Sequence, residues 1–310
     1  MDKMRINVII PTYKPDEGFI KLLYKLCEQT VKVDRVIVMN TEEKLFLKNG
    51  IPVDITERLE VDVHHISKEE FDHGKTRHEA MEIADADICV LMTQDAMPAD
   101  SMLIEELVEP FEREEIAVSY GRQLAFEDSS FVEKLTRNFN YPDEDMIKSI
   151  ADLERLQIKT FFCSNVCSAY RKSVYTSLGG FVRKTIFNED MLFAAKALRA
   201  GYKIAYCSKA KVFHSHDYTG KQHFKRNFDN GVSHAQYPEV FEGVSQDGEG
   251  LRMVKTVTGE LIKHGHIFSV PRYIWHTGCK YIGFKMGCRY KKLPKWLVMA
   301  STSDKSFFVD

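Results

Sequence analysis

Asp95 stands in the stretch TQDAMP (residues 93–98), directly after the apolar run DICVLM, with an amide, Gln94, before it and a small residue, Ala96, after it. Taken alone, such an Asp caps a helix or closes a turn. Far downstream, FHSH supplies His214 and His216, and strand alternation places residues two apart on one face. One carboxylate and one imidazole, completed by phosphate oxygens and water, make an adequate shell for Mg2+ or Mn2+. The expectation is a divalent-metal site built on Asp95 with His214 or His216. The competing reading is a hydrogen-bonded structural histidine and a surface one.

Two further constellations carry chemistry. NEDM (188–191) opens an amphipathic helix, where Glu189 and Asp190 can simply complement the helix dipole. Alternatively, one of these acids accepts a proton from an attacking hydroxyl, and a helix N-terminus is expected to lower its pKa and keep it ionised at neutral pH. FDHGKTRHEA (71–80) sets His73, Lys75 and Arg77 around Gly74 at a helix start, a cradle suited to a diphosphate or a base edge.

The elements that must position these residues follow from hydrophobic periodicity. INVIIP (6–11), DRVIVMN (34–40), EVDVHHI (60–66) and DICVLMT (87–93) read as strands, separated by the helical patterns FIKLLYKLCEQ and GKTRHEAMEIA. Such alternation predicts a parallel sheet covered by helices, with ligands bound beyond the carboxyl ends of its strands. The residues there are Thr12 and Tyr13, Asn40 and Thr41, and Gln94 and Asp95. PTYKPDEG is neither GxGxxG nor GxxxxGK[ST], which argues against dinucleotide and P-loop binding. From 116 the pattern is mixed: IAVSYGRQ, a polar helical stretch to about 157, FFCSNVCSAYRKSVY, a helix over 189–201, and a strand pair through YKIAYCSKAKVFHSH.

The net charge of −2 hides an asymmetry: residues 252–296 hold ten Lys or Arg and one acid, Glu260. Seven scattered cysteines, with no secretory leader and no 18-residue apolar run, suit a reducing cytosol. Cys163 and Cys167 lack a second zinc-spaced pair and read as ordinary thiols. The basic segment interleaves aromatic residues between 271 and 296, which suits an anionic membrane surface. A packed helix with a solvated basic face is the plainer alternative. No nucleic-acid reading motif accompanies the charge.

PTYKP, FDHGKTRHEA, TQDAMP, YGRQ, RNFNYP, KTFFCSNVCSAYRKSVYTSLGGF, NEDM, AGYKIAY and VFHSHDYT, in this order over about residues 5–235, resemble the family 2 glycosyltransferases of GT-A fold. More narrowly they resemble the bacterial rhamnosyltransferases that use dTDP-L-rhamnose. The resemblance implies an α/β fold with a GT-A type, Rossmann-like, mostly parallel sheet flanked by helices: a catalytic domain over 1–235 and a helical basic C-terminal region over 236–310. QDA takes the place of the family's DxD-type metal motif, leaving Asp95 as its one acid. Asp190 would be the base, with Glu189 beside it, and His214 or His216 would contact the metal. Pro11, Thr12, Tyr13 and Asn40 would line the nucleotide site, with His73, Gly74, Arg77 and Gln94 also on the donor side. Arg122 and Asn165 are candidates for the sugar and acceptor side.

The implied activity is inverting, metal-dependent transfer of L-rhamnose from dTDP-β-L-rhamnose to a hydroxyl of a lipid-linked glycan, at the inner face of the cell membrane. QxxRW, the signature of processive members, is absent. A nucleotidyltransferase and a non-catalytic sugar- or membrane-binding module are the rivals, and self-association is left open.

Overall fold

The computed structural model describes residues 4–48, 50–241, 243–244 and 247–308. The chain divides into two compact units: Met1–Leu124, Tyr141–Lys184 and Glu189–His214 in the first, Ala125–Asn140, Thr185–Asn188 and Ser215–Asp310 in the second.

Among the described residues, the first unit is organised on nine strands: β1 (Ile6–Tyr13), β2 (Arg35–Thr41), β3 (Glu60–Ile66), β4 (Ile88–Met92), β5 (Met97–Pro98), β6 (Ile116–Leu124), β7 (Met146–Lys148), β8 (Cys167–Arg171) and β9 (Lys203–Phe213). Their order is β3-β2-β1-β4-β8-β6-β9-β5, with β7 also on β9. The first four strands run parallel, in the register Ile9↔Ile37, Ile9↔Leu91 and Val38↔Val63. Ile88–Met92 is buried throughout, as a central strand covered on both faces must be. Helix Glu17–Cys27 places Phe19, Leu22, Leu23 and Leu26 on one side, the three- and four-residue spacing of a core-facing stripe. Its start is capped by the Asp16 carboxylate, which accepts from the Gly18 amide.

Beyond β4 the sheet is mixed: β8 is antiparallel to both β4 and β6, while β6 and β9 are parallel. Residues 202–216 do not form the expected strand pair. They contain one strand, β9, whose pairing with β6 jumps from Gly121↔Cys207 to Arg122↔Lys211. Residues 208–210 bulge out of the ladder at that point, and the Ser208 amide is satisfied by the Asp145 carboxylate instead, at 2.6 Å. Such irregularities re-aim the residues that follow them. Those residues are Gln123 on β6 and, after β9, His214.

The second unit is mainly helical. Helices Gly220–Gln236 and Val270–Gly287 meet backbone to backbone: a methyl group at Gly231 would overlap the Phe284 carbonyl, at Gly283 the Phe224 carbonyl, and at Gly287 the Phe228 carbonyl. Ser233 donates to the Phe187 carbonyl at 2.8 Å, and Arg252 lies over the Phe139 ring. The last two contacts tie 185–188 and 125–140 into this unit, which begins at Ser215, earlier than the boundary expected at 235.

Candidate active site

At the ends of β4 and β9, Asp95, His214 and His216 each offer a ligand atom, and the three atoms lie within 4.8 Å of one another. His214 Nε2 is 3.6 Å from an Asp95 carboxylate oxygen. The other ring nitrogen, Nδ1, is 3.0 Å from Gln123 Oε1. On its other side the Gln123 amide reaches the Tyr141 hydroxyl with Nε2 at 2.6 Å and Ser164 Oγ at 2.9 Å. With Oε1 placed toward Nδ1, the tautomer protonated on Nδ1 is the one this arrangement favours, and Nε2 is the nitrogen on the Asp95 side. One carboxylate oxygen and two imidazole nitrogens are a donor set that fits a divalent cation.

Gln123 is buried and lies in the YGRQ motif, one residue beyond the Arg122 that sequence reasoning selected. Its partner is 91 residues away, so only folding reveals the pairing. Outer-shell partners of this kind typically change metal affinity about 10- to 100-fold. Gln123→Leu is expected to weaken Mn2+ binding by that factor, while Gln123→Glu, which keeps an acceptor for Nδ1–H, retains it. Titration of free Mn2+ by electron paramagnetic resonance separates the two variants.

The acids of NEDM are arranged unequally. Glu189 is buried, 3.3 Å from Arg77 Nη1, and accepts from Asn165 Nδ2 at 3.0 Å. Asp190 takes backbone amides instead, from Asn165 at 3.0 Å and Met191 at 2.7 Å. Asn165 is thus the clamp on both acids, and its side-chain oxygen Oδ1 accepts from the Tyr170 hydroxyl at 2.7 Å and the Ser168 hydroxyl at 2.8 Å. Burial and the neighbouring Glu189 charge push the Asp190 carboxyl up to about 7, against the lowering effect of the two amides and Arg77. This corrects the expectation of a carboxylate lowered by the helix terminus: desolvation outweighs the dipole.

Other expected donor-side residues have definite partners. Thr12 and Asn40 are buried and bonded at 3.1 Å, and the Asn40 amide also reaches the Glu42 carbonyl and the His65 ring. Pro11 and Tyr13 lie on the same strand end, Tyr13 exposed. Gln94 clips β1 to β4 by exchanging two hydrogen bonds with the Tyr13 backbone, at 2.9 and 3.2 Å. Helix His73–Ile83 caps itself, because the Asp72 carboxylate accepts from Gly74 and Lys75; the anion cradle expected from their amides is already filled. Arg77 is turned to Glu189 and to the His73 carbonyl, 3.1 Å away. Arg122 donates to the Tyr141 carbonyl at 3.1 Å. Cys163 and Cys167 are buried thiols, each pushed up to about 12 by desolvation.

The chain matches glycosyl transferase family 2 over residues 7–179. It is 40% identical over 295 residues to the O-antigen chain rhamnosyltransferase RfbN of Salmonella typhimurium, covering 94% of this chain and 92% of that protein. To the O-antigen chain rhamnosyltransferase WbaN of Salmonella anatum it is 39% identical, covering 93% and 90%. In structure it is similar to the mannosyltransferase PcManGT from Pyrobaculum calidifontis in complex with GDP-Man and Mn2+, with a TM-score of 0.57, 14% identity, and 96% and 86% of the two chains covered. It is also similar to S. aureus TarS 1-349 in complex with UDP-GlcNAc, with a TM-score of 0.52, 14% identity, and 96% and 84% covered. The structural likenesses establish a GT-A fold, and the extent of the sequence match establishes descent: the chain belongs to glycosyl transferase family 2.

Proposed function

We propose that the protein is an inverting, metal-dependent rhamnosyltransferase that moves L-rhamnose from dTDP-β-L-rhamnose to a hydroxyl of a polysaccharide precursor. The observation carrying this reading is the 40% identity with an O-antigen chain rhamnosyltransferase over 94% of the chain. The site supports it, with a divalent-cation donor set and a separate acid of raised pKa.

In the proposed reaction Asp190 takes the acceptor hydroxyl proton as the acceptor oxygen bonds to the anomeric carbon. The bond from that carbon to the diphosphate breaks, its electron pair leaves with dTDP, and inversion converts the β donor to an α linkage. Asn165 and Met191 hold the Asp190 carboxylate in place, and Glu189 with Arg77 anchors the start of its helix. Asp95, His214 and His216 would hold the cation, whose chemistry is neutralisation of charge on the departing diphosphate.

A panel of dTDP-rhamnose, UDP-GlcNAc and GDP-mannose, each with Mn2+, Mg2+ or a chelator, tests the proposal. Turnover is expected with dTDP-rhamnose in Mn2+ or Mg2+, and lost with the chelator. Preference for another donor, or pyrophosphate release from dTTP and a sugar phosphate, would overturn it. The proposed setting is peripheral, at the inner face of the cell membrane, with a lipid-linked acceptor. Among the described residues, no helix is long and apolar enough to cross a membrane.

A further inference from the structure

Helix Val270–Gly287 has two opposite faces. Tyr273, Gly283 and Gly287 are buried. Ile274, Trp275, Tyr281 and Ile282 are 46%, 68%, 56% and 55% exposed. At about 100° per residue, those four fall within an arc of roughly 120°, and Lys285 lies in the same arc. The arc continues beyond the helix start into Phe268, which is 97% exposed. Eighteen residues make this face about 27 Å long.

The charge beside it is of one sign. Lys285 lies over the Tyr281 ring at 5.3 Å, and Arg289, Lys291 and Lys292 follow the helix end, all three exposed. From His264 to Ser303 the sequence contains no Asp or Glu. An apolar, aromatic-rich strip bordered by cations alone is complementary to lipid: aromatic rings sit at headgroup depth while the cations meet anionic headgroups. A protein partner covering the same strip would have to supply all the countercharge itself.

We infer that Phe268, Ile274, Trp275, Tyr281 and Ile282 form a face on which the protein lies against an anionic lipid bilayer, without spanning it. The inference rests on the membrane-associated setting proposed above and deepens it by naming the contacting residues. Each cation at the surface strengthens attachment about fivefold, so binding should fall with salt.

Trp275 and Trp296, the chain's two tryptophans, are 68% and 71% exposed, so intrinsic fluorescence reports directly on lipid contact. The full chain is mixed with vesicles of phosphatidylglycerol and phosphatidylethanolamine, or of phosphatidylcholine alone, and followed by fluorescence and co-sedimentation. A blue shift and sedimentation are expected with the anionic vesicles only. Trp275→Ser with Ile282→Ser should lower partition about tenfold or more, and Lys285→Glu with Lys291→Glu should abolish the preference for anionic lipid. Both pairs should retain transfer to a soluble acceptor, which separates failure of the lipid face from failure of the enzymatic assignment. Equal binding to neutral vesicles, or unchanged binding in both double variants, would overturn the inference. So would a dimer that the Trp275/Ile282 variant converts to monomer with vesicle binding intact, since a second copy would then cover the face.

Discussion

Asp190→Asn should lose about 10²- to 10⁴-fold in turnover while still binding the sugar nucleotide, because it removes proton acceptance and little else. The amides of Asn165 and Met191 can still bond to an Asn side-chain oxygen, so local geometry should survive. Stability provides a second reading. The Asp190 pKa is raised from 3.8 to about 7, so the folded state favours the protonated acid. That contribution is fully present below about 4 and is lost as pH rises through about 7. Asp190→Asn should therefore melt at a higher temperature than the parent at pH 8, with the gain shrinking on acidification. Activity runs the other way, since the base works only when ionised: turnover of the parent should rise with pH through about 7. In Glu189→Gln the like charge is gone and Arg77 faces Asp190 without its buried partner, so this limb should move to lower pH. Near-parental turnover in Asp190→Asn would remove Asp190 from the reaction.

Asp95→Ala is expected to weaken donor binding only when Mn2+ is present. Its carboxylate is the one oxygen donor in the Asp95, His214 and His216 set, and in the proposed reaction it would act on the diphosphate through the cation. Loss of a direct ligand should exceed the roughly 10- to 100-fold cost of losing an outer-shell partner. Calorimetry of dTDP binding with and without Mn2+ reads the difference. Equal affinities for parent and variant in both conditions would return Asp95 to a turn-closing role.

The part of this site that depends on residue type at a strand end was readable from sequence. Hydrophobic runs locate β1 to β4, and the strand ends single out Thr12, Asn40 and Asp95. What escaped was pairing across long separations. Nothing local indicates that Gln94 clips the Tyr13 backbone, that Asn165 holds both acids, or that Gln123 pairs with Nδ1 of His214. The direction of the Asp190 shift is hidden for the same reason: helix position is visible in sequence, whereas the desolvation opposing it depends on the surrounding fold. The residues bulged from β9 were hidden because their composition continues the strand pattern unbroken.

Gly231, Gly283 and Gly287 act as a keyway between two helices. Rolling Val270–Gly287 by one residue, roughly 100°, would replace a hydrogen with a side chain against a backbone carbonyl that leaves no room for a methyl. The helix therefore cannot turn its aromatic strip inward when lipid is absent. Display of that strip is a fixed property of the resting protein, and the unbound pool carries a standing tendency to adhere to whatever apolar surface it meets.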